Sequence, residues 1–242
     1  MKHIGIAAVT AEGAALTYKY ICAESEKHFG EFIHPEISIH SFSFSKHINY
    51  GEDRLGKWTQ LLIESINKLE SIGADFVICP SNTPHEVYEQ VTERINIPWI
   101  NIAESVLKEA ERLGVKRVLL LGTEFIFSSS VYPGAFSGSG IELSSVYPGA
   151  FSGSGIELLV PEADDQNFIH ELIVSALIRG AVTGEYQAKV RKILKKSQCS
   201  GVDAVILGCT ELPLIIDSSM TDMTVLDSTT ILGNAAIESA KK

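Results

Sequence analysis

The chain has 242 residues, 45% of them hydrophobic, with 30 acidic against 20 basic side chains and a formal charge of −10. That is apolar material for a substantial core, either one large α/β domain or two smaller halves, and it excludes a disordered chain. The acidic balance, with a sequence pI near 5.2, leaves no cationic footprint for nucleic acid, and no run approaches the roughly 18 consecutive apolar residues that span a bilayer.

Met1-Lys2-His3 leads directly into a strand-like run at residues 4–9, with no secretion-type apolar region, so a cytoplasmic setting is expected. Strand-length runs follow at residues 37–42, 76–79, 99–102, 117–121, 156–160, 204–207 and 224–226. Helix-length amphipathic stretches alternate with them. In one, Trp58, Leu61, Leu62, Ser65, Ile66 and Leu69 recur at helical spacing and form a single stripe. Another opens with Asn101 and Glu104 in capping-box register, and Val106, Leu107, Ala110 and Leu113 form its buried face. Such alternation predicts parallel sheets covered by helices on both faces, an α/β fold. The four cysteines, Cys22, Cys79, Cys199 and Cys209, show no CxxC spacing, so reduced thiols and no metal are expected.

Two internal repeats stand out. SSVYPGAFSGSGIEL occurs at residues 129–143 and again, unchanged, at residues 144–158. Its Gly, Ser and Pro content predicts a surface loop, which tolerates a surplus copy at small entropic cost, and Tyr132 or Tyr147 is a candidate to line a ligand site. The second repeat is imperfect. GADFVICPSNT at residues 73–83 reads like GVDAVILGCTE at residues 201–211, pairing Gly73 with Gly201, Asp75 with Asp203 and Ser81 with Cys209. Each copy is a strand running into a polar turn, and ligands in open α/β sheets bind beyond the carboxyl ends of such strands. The repeat predicts two pseudo-symmetric halves facing a shared cleft: residues 1–102 with 210–242, and residues 103–209, which contain the tandem duplication.

Opposed groups on two sides of a substrate carbon are what inversion of a stereocentre needs, since one removes a proton and the other returns one. Ser81 and Cys209 are the candidates. A thiol with a reference pKa of about 8.5 ionises near neutral pH, whereas a serine hydroxyl does not without an adjacent base, so Cys209 is the competent base and Ser81 a donor or relay. His85, four residues on from Ser81, is the candidate helper. Asn82, Thr83, Thr210 and Glu211 in the two turns are candidate substrate-binding residues, their N–H and hydroxyl groups suited to a carboxylate. No lysine in a recognisable pyridoxal setting is present, and no cofactor is expected. Asp164 and Asp165 read as the first turn of a helix, where carboxylates complement the dipole.

The motifs PSNTPH at residues 80–85, LLGT at 120–123, GIELLVPEADDQ at 155–166 and GCTELPL at 208–214 resemble the aspartate/glutamate racemase family, nearly end to end. That family also includes hydantoin racemase, maleate isomerase and arylmalonate decarboxylase. The resemblance implies a pyridoxal-independent isomerase, a homodimer, acting on a small carboxylate or amino acid. It also implies a cysteine pair before NT and before TE, of which this chain keeps Cys209 and replaces the other by Ser81. Thr10 and Thr123 join the candidate substrate contacts, although AAVTAEGA at residues 7–14 stands where many relatives have a glycine-rich loop. Dicarboxylate-specific members supply a cation where this chain has Asp164 and Asp165, which leaves Lys46 or Arg54 to compensate. Two other readings stay open: a single-cysteine decarboxylase or cis-trans isomerase of small acids, and a catalytically silent small-acid binding protein.

Overall fold

The computed structural model describes residues 1–48, 53–137 and 155–241. It divides into two compact units, residues 1–105 with 229–242, and residues 106–228.

In the first unit, β1 (Ile4–Ala8), β2 (Ile37–Ser41), β3 (Phe76–Ile78) and β4 (Trp99–Ile100) form a parallel sheet in the order β2-β1-β3-β4. Alternation along the strands sends side chains to two cores. Ile4, Ile6, Ala8, Phe76 and Ile78 meet Ala14 and Ile21 of the helix Ala11–Phe29, together with Leu232, Ala236 and Ile237 of the helix Ser228–Ala240. Ala7, Val9, Val77 and Cys79 meet Trp58, Leu62, Ile66 and Leu69 of the helix Arg54–Ser71. The stripe read from that helix is its buried face. Gly5 is needed for close packing, because an added Cβ would stand 2.8 Å from Val77 Cγ1 of the neighbouring strand and 3.2 Å from Leu69 Cβ of the helix Arg54–Ser71.

In the second unit, β5 (Arg117–Leu121), β6 (Glu157–Leu159), β7 (Ala204–Leu207) and β8 (Thr224–Asp227) are again all parallel, in the order β6-β5-β7-β8. Leu119, Leu121, Val205 and Leu207 pack on Ile169, Leu172 and Ile173 and on Val190, Ile193 and Leu194 of the helix Gly184–Cys199. The eight strands fall where the apolar runs placed them, within one or two residues at each end.

Three expectations need correction. Residues 210–228 belong with the second unit, because Thr224–Asp227 pairs in register with Ala204–Leu207 and completes that sheet. The chain returns to the first unit only at the helix Ser228–Ala240. The duplicated segment is not all loop: the first copy opens the helix Val131–Ser137, and the second copy ends in β6. Val131 and Tyr132 are apolar enough to be buried, Tyr132 completely, so Tyr132 is a core residue. Tyr147 lies outside the described residues. Leu113, read as part of a buried face, is exposed because the helix Ile102–Arg112 has ended before it.

Candidate active site

The imperfect repeat has a structural cause in each unit. Gly73 and Gly201 adopt left-handed φ of 95° and 81° directly after a helix, a conformation that costs glycine least. Their N–H groups close on Glu70 O and Gln198 O, and the next residues, Ala74 and Val202, donate to Leu69 O and Ser197 O. Asp75 then accepts from His3 N at 2.7 Å, and Asp203 accepts from Lys116 N and Arg117 N at 3.0 and 3.1 Å. Each aspartate thus ties the start of its own strand to the start of the central strand beside it. The register fixed there carries through β3 and β7 to the polar turns at their carboxyl ends.

Ser81 occupies the turn after β3. Its N–H donates to Cys79 O at 2.8 Å, and a short 3-10 segment, Thr83–Val87, follows with Pro84 in its first turn. Ser81 and Thr83 are half-buried and Asn82 is buried. His85 is buried against the rings of Trp99 and Tyr88, at centroid distances of 4.7 and 6.3 Å. Its Nδ1 lies 2.9 Å from the carbonyl oxygen of Ser81 and 3.3 Å from that of Asn82. Carbonyls only accept, so Nδ1 carries the proton. Burial pushes His85 down to about 4, more than its backbone contacts raise it. His85 is therefore neutral and holds the backbone of the turn, with no bond from its ring to the Ser81 hydroxyl. Cys79 points into the core, and burial pushes its thiol up to about 12.

Cys209 occupies the matching turn after β7. Gly208 precedes it in a tight place, since an added Cβ would lie 2.8 Å from Leu121 O and 3.0 Å from Leu120 Cδ1. The Gly208 N–H donates to that same Leu121 carbonyl at 2.8 Å. Cys209 is half-buried. Its thiol donates to Glu211 Oε2 at 2.9 Å, and the Thr210 hydroxyl donates to the same oxygen at 2.9 Å. Burial raises the Cys209 thiol well above its ordinary value, the Glu211 charge raises it further, and the backbone N–H groups of Thr210 and Glu211 pull the other way. Glu211, read from the sequence as a substrate contact, has its carboxylate turned back onto its neighbours.

The threonines complete the parallel between the units. Thr10 lies two residues beyond β1 and caps the helix Ala11–Phe29, accepting from Gly13 N at 3.2 Å. Thr123 lies two residues beyond β5 and begins the helix Glu124–Phe127 with no side-chain cap bond. Each unit therefore carries a threonine and a Ser or Cys at the carboxyl ends of its two middle strands. A family model described as Asp/Glu/Hydantoin racemase matches residues 9–236. The chain belongs to that family. The broad specificity amino-acid racemase RacX of Bacillus subtilis (strain 168) is 24% identical over 176 residues, 73% of this chain and 69% of RacX. An aspartate racemase homologue from Pyrococcus horikoshii OT3 superposes with a TM-score of 0.83 at 29% identity, covering 100% of both chains. The aspartate racemase of Picrophilus torridus shares the fold, with a TM-score of 0.74 at 22% identity, covering 100% of this chain and 95% of that one.

Other candidate residues of this racemase-family chain are already engaged. Arg54 pairs with Glu86, next to His85, and lies 5.2 Å from the ring centre of Trp58. Lys46 sits 4.6 Å over Phe42. Asp164 and Asp165 occupy the first turn of the helix Ala163–Glu171, as expected, and Lys196 lies 3.7 Å from Asp165. Among the described residues no cluster of three His, Cys, Asp or Glu could hold a metal ion, and no helix is long and apolar enough to cross a membrane.

Proposed function

We propose that the chain is a pyridoxal-independent amino-acid racemase in which Cys209 removes the α-proton from one face of the substrate and Ser81 serves the other. The reading rests on one observation. Cys209 and Ser81 hold corresponding places after β7 and β3, in two sheets of the same strand order. The thiolate takes the α-proton as the electron pair spreads onto the substrate carboxylate, which hydroxyl and N–H donors at Thr10, Asn82, Thr83 and Thr123 are suited to hold, while Thr210 is engaged by Glu211 and Cys209. Ser81 then gives its hydroxyl proton to the opposite face and takes one from water in the same step, because a free alkoxide is out of reach at neutral pH. Kinship with a protein named for broad specificity, together with the pairing of Arg54 by Glu86, favours amino acids beyond the dicarboxylates. A homodimer and a cytoplasmic setting go with this reading, and light scattering on the purified chain checks the former.

The test is α-proton exchange in deuterated buffer over a panel of L- and D-amino acids, followed by NMR. Exchange with inversion is expected for the native chain, and Cys209→Ala should lose at least about 100-fold in rate, the scale of general-base catalysis. Full turnover by Cys209→Ala sinks the proposal. A second reading draws on His85, whose ring bonds the Ser81 carbonyl and so does not serve the hydroxyl as a base. A single thiol can protonate an enolate after decarboxylation or add to a double bond. Carbon dioxide released from a substituted malonate, or fumarate formed from maleate, would favour that chemistry. Saturable thermal stabilisation by small acids, without exchange or product, would mark a binding protein.

A further inference from the structure

We propose that His170 is a positioning residue for the turn after β5: its imidazole takes over the helix cap that Thr123 would otherwise make, and so leaves the Thr123 hydroxyl to the substrate carboxylate. The inference rests on the proposed racemase chemistry, in which Thr123 holds that carboxylate, and on the geometry of this turn.

The short helix Glu124–Phe127 begins with N–H groups that have no partner inside the helix. A threonine before such a start ordinarily turns its oxygen back onto one of them, as Thr10 does by accepting from Gly13 N at 3.2 Å. Thr123 has the extended backbone of a cap residue, φ −80° and ψ 165°, yet its side chain makes no cap bond. The acceptor comes from elsewhere. Glu124 N donates to His170 Nδ1 over 3.2 Å, across 46 residues of sequence. An imidazole nitrogen that accepts carries no proton, so the ring proton is on Nε2, which lies 3.7 Å from Oε1 of the same Glu124. His170 thus faces the backbone and the side chain of one residue together, with the Phe125 ring set at 69° beside it.

Both sides of this contact are firmly seated. His170 follows Ile169, which is wholly buried, and the chain runs on into Leu172 and Ile173 of the same core. In the turn, Gly122 has no room for a side chain, since an added Cβ would run into Ile126 Cγ2 and stand 3.4 Å from Gly208 O. The backbone before Thr123 therefore lies against the backbone before Cys209, and the backbone after Thr123 is held by His170. Thr123 itself is half-buried. Its hydroxyl, at the carboxyl end of a middle strand, can donate to a substrate carboxylate without giving up a structural bond. Thr10 has its oxygen committed to a cap, so the two threonines are not equivalent. No spacing in the sequence marks His170, because its partner lies in another element.

The closing experiment compares substitutions of His170 in the full chain. Asparagine sets an amide oxygen where Nδ1 stands and can accept from Glu124 N, glutamine sets its amide near the place of Nε2, and leucine offers neither. Two readouts are followed: exchange of the Glu124 amide with water, by NMR, and kcat/KM for α-proton exchange. His170→Gln and His170→Leu should speed Glu124 amide exchange at least about tenfold. They should also lower kcat/KM about tenfold, the scale of one hydrogen bond to a charged group, while His170→Asn stays within about threefold of the native chain. Thr123→Val should cost a similar factor, and adding His170→Leu to it should cost no more. A merely structural histidine would not tell asparagine from glutamine, and its loss would multiply with that of Thr123. Should the leucine variant fold poorly, the asparagine and glutamine pair decides. A kcat/KM for His170→Gln within about threefold of native, or losses that multiply in the double variant, overturns the inference. If the native chain exchanges no α-proton with any amino acid, the racemase reading falls by itself. The inference then stands only if malonate stabilises the native chain and His170→Asn saturably against heat, and does so less in both Thr123→Val and His170→Gln.

Discussion

Ser81 and Cys209 answer to each other in the chain, yet their surroundings give them unequal chemistry. Around Cys209 a carboxylate and two backbone N–H groups converge on a sulfur, while at Ser81 the nearest ring, His85, is spent on a carbonyl. The His85 environment has a consequence for stability. Its folded value, about 4, lies below the ordinary histidine value of 6.5, so protons bind the unfolded chain more readily. Its contribution is complete above pH 6.5 and is lost as pH falls towards 4, by about 3 kcal/mol in all. His85→Gln should remove most of that slope, which urea unfolding at pH 7 and pH 4.5 can measure against the native chain. His40 and His47 are also lowered by burial and remain in both proteins, so the difference isolates His85. The sequence pointed to His85 and Glu211 by spacing, but spacing does not say which atom of a neighbour a side chain reaches. That is decided by the path of an irregular turn, where no periodicity helps.

At the scale of elements, the helix-to-strand passages at Gly73–Asp75 and Gly201–Asp203 do the same work twice. A left-handed glycine ends the helix, and an aspartate two residues later grips the N–H groups of the adjoining strand. This is why the echo between the two segments was legible in the sequence: glycine and aspartate are each required by a backbone task that few other residues perform. Gly208 is required for a different reason, the crowding of its α-carbon by the Leu121 carbonyl. Gly208→Ala should leave the sheet folded but shift the turn that carries Cys209. We expect at least a tenfold loss in α-proton exchange, in line with the cost of misplacing a reacting group by about 1 Å, with an unchanged far-UV circular dichroism spectrum. A native exchange rate in that variant would show that the close approach has no bearing on the site. The middle strands β1, β3, β5 and β7 were easy to place because their apolar runs are buried on both faces. The helix at Val131–Ser137 was not, since its Gly and Pro content reads as loop while the burial of Val131 and Tyr132 decides otherwise.

Over the whole molecule, the family, the α/β class and the likeness of two parallel-sheet halves followed from pattern and motif. The place where the chain returns to the first unit did not, because the run at β8 carries no mark of which sheet it joins. The tandem repeat tests how much the rest of the fold depends on its surplus. Its first copy supplies the helix Val131–Ser137 and its second supplies β6, so removing residues 144–158 leaves an identical sequence for both elements. Shortening the connection should stabilise the chain by about 1 kcal/mol through loop closure. That is a rise of roughly 2–4 °C in Tm, measurable by thermal unfolding, and a large fall would mean that both copies are needed. One further consequence follows from the first unit being closed by the last helix of the chain. Leu232, Ala236 and Ile237 fill the core under β1, and Lys2 N donates to Ala240 O at 3.0 Å. On the ribosome, all of residues 106–228 emerge before the segment that seals the first unit. The half of the protein that is begun first is thus finished last, and one face of its sheet waits half-covered, by the helix Ala11–Phe29 without its partner helix, until synthesis is nearly over.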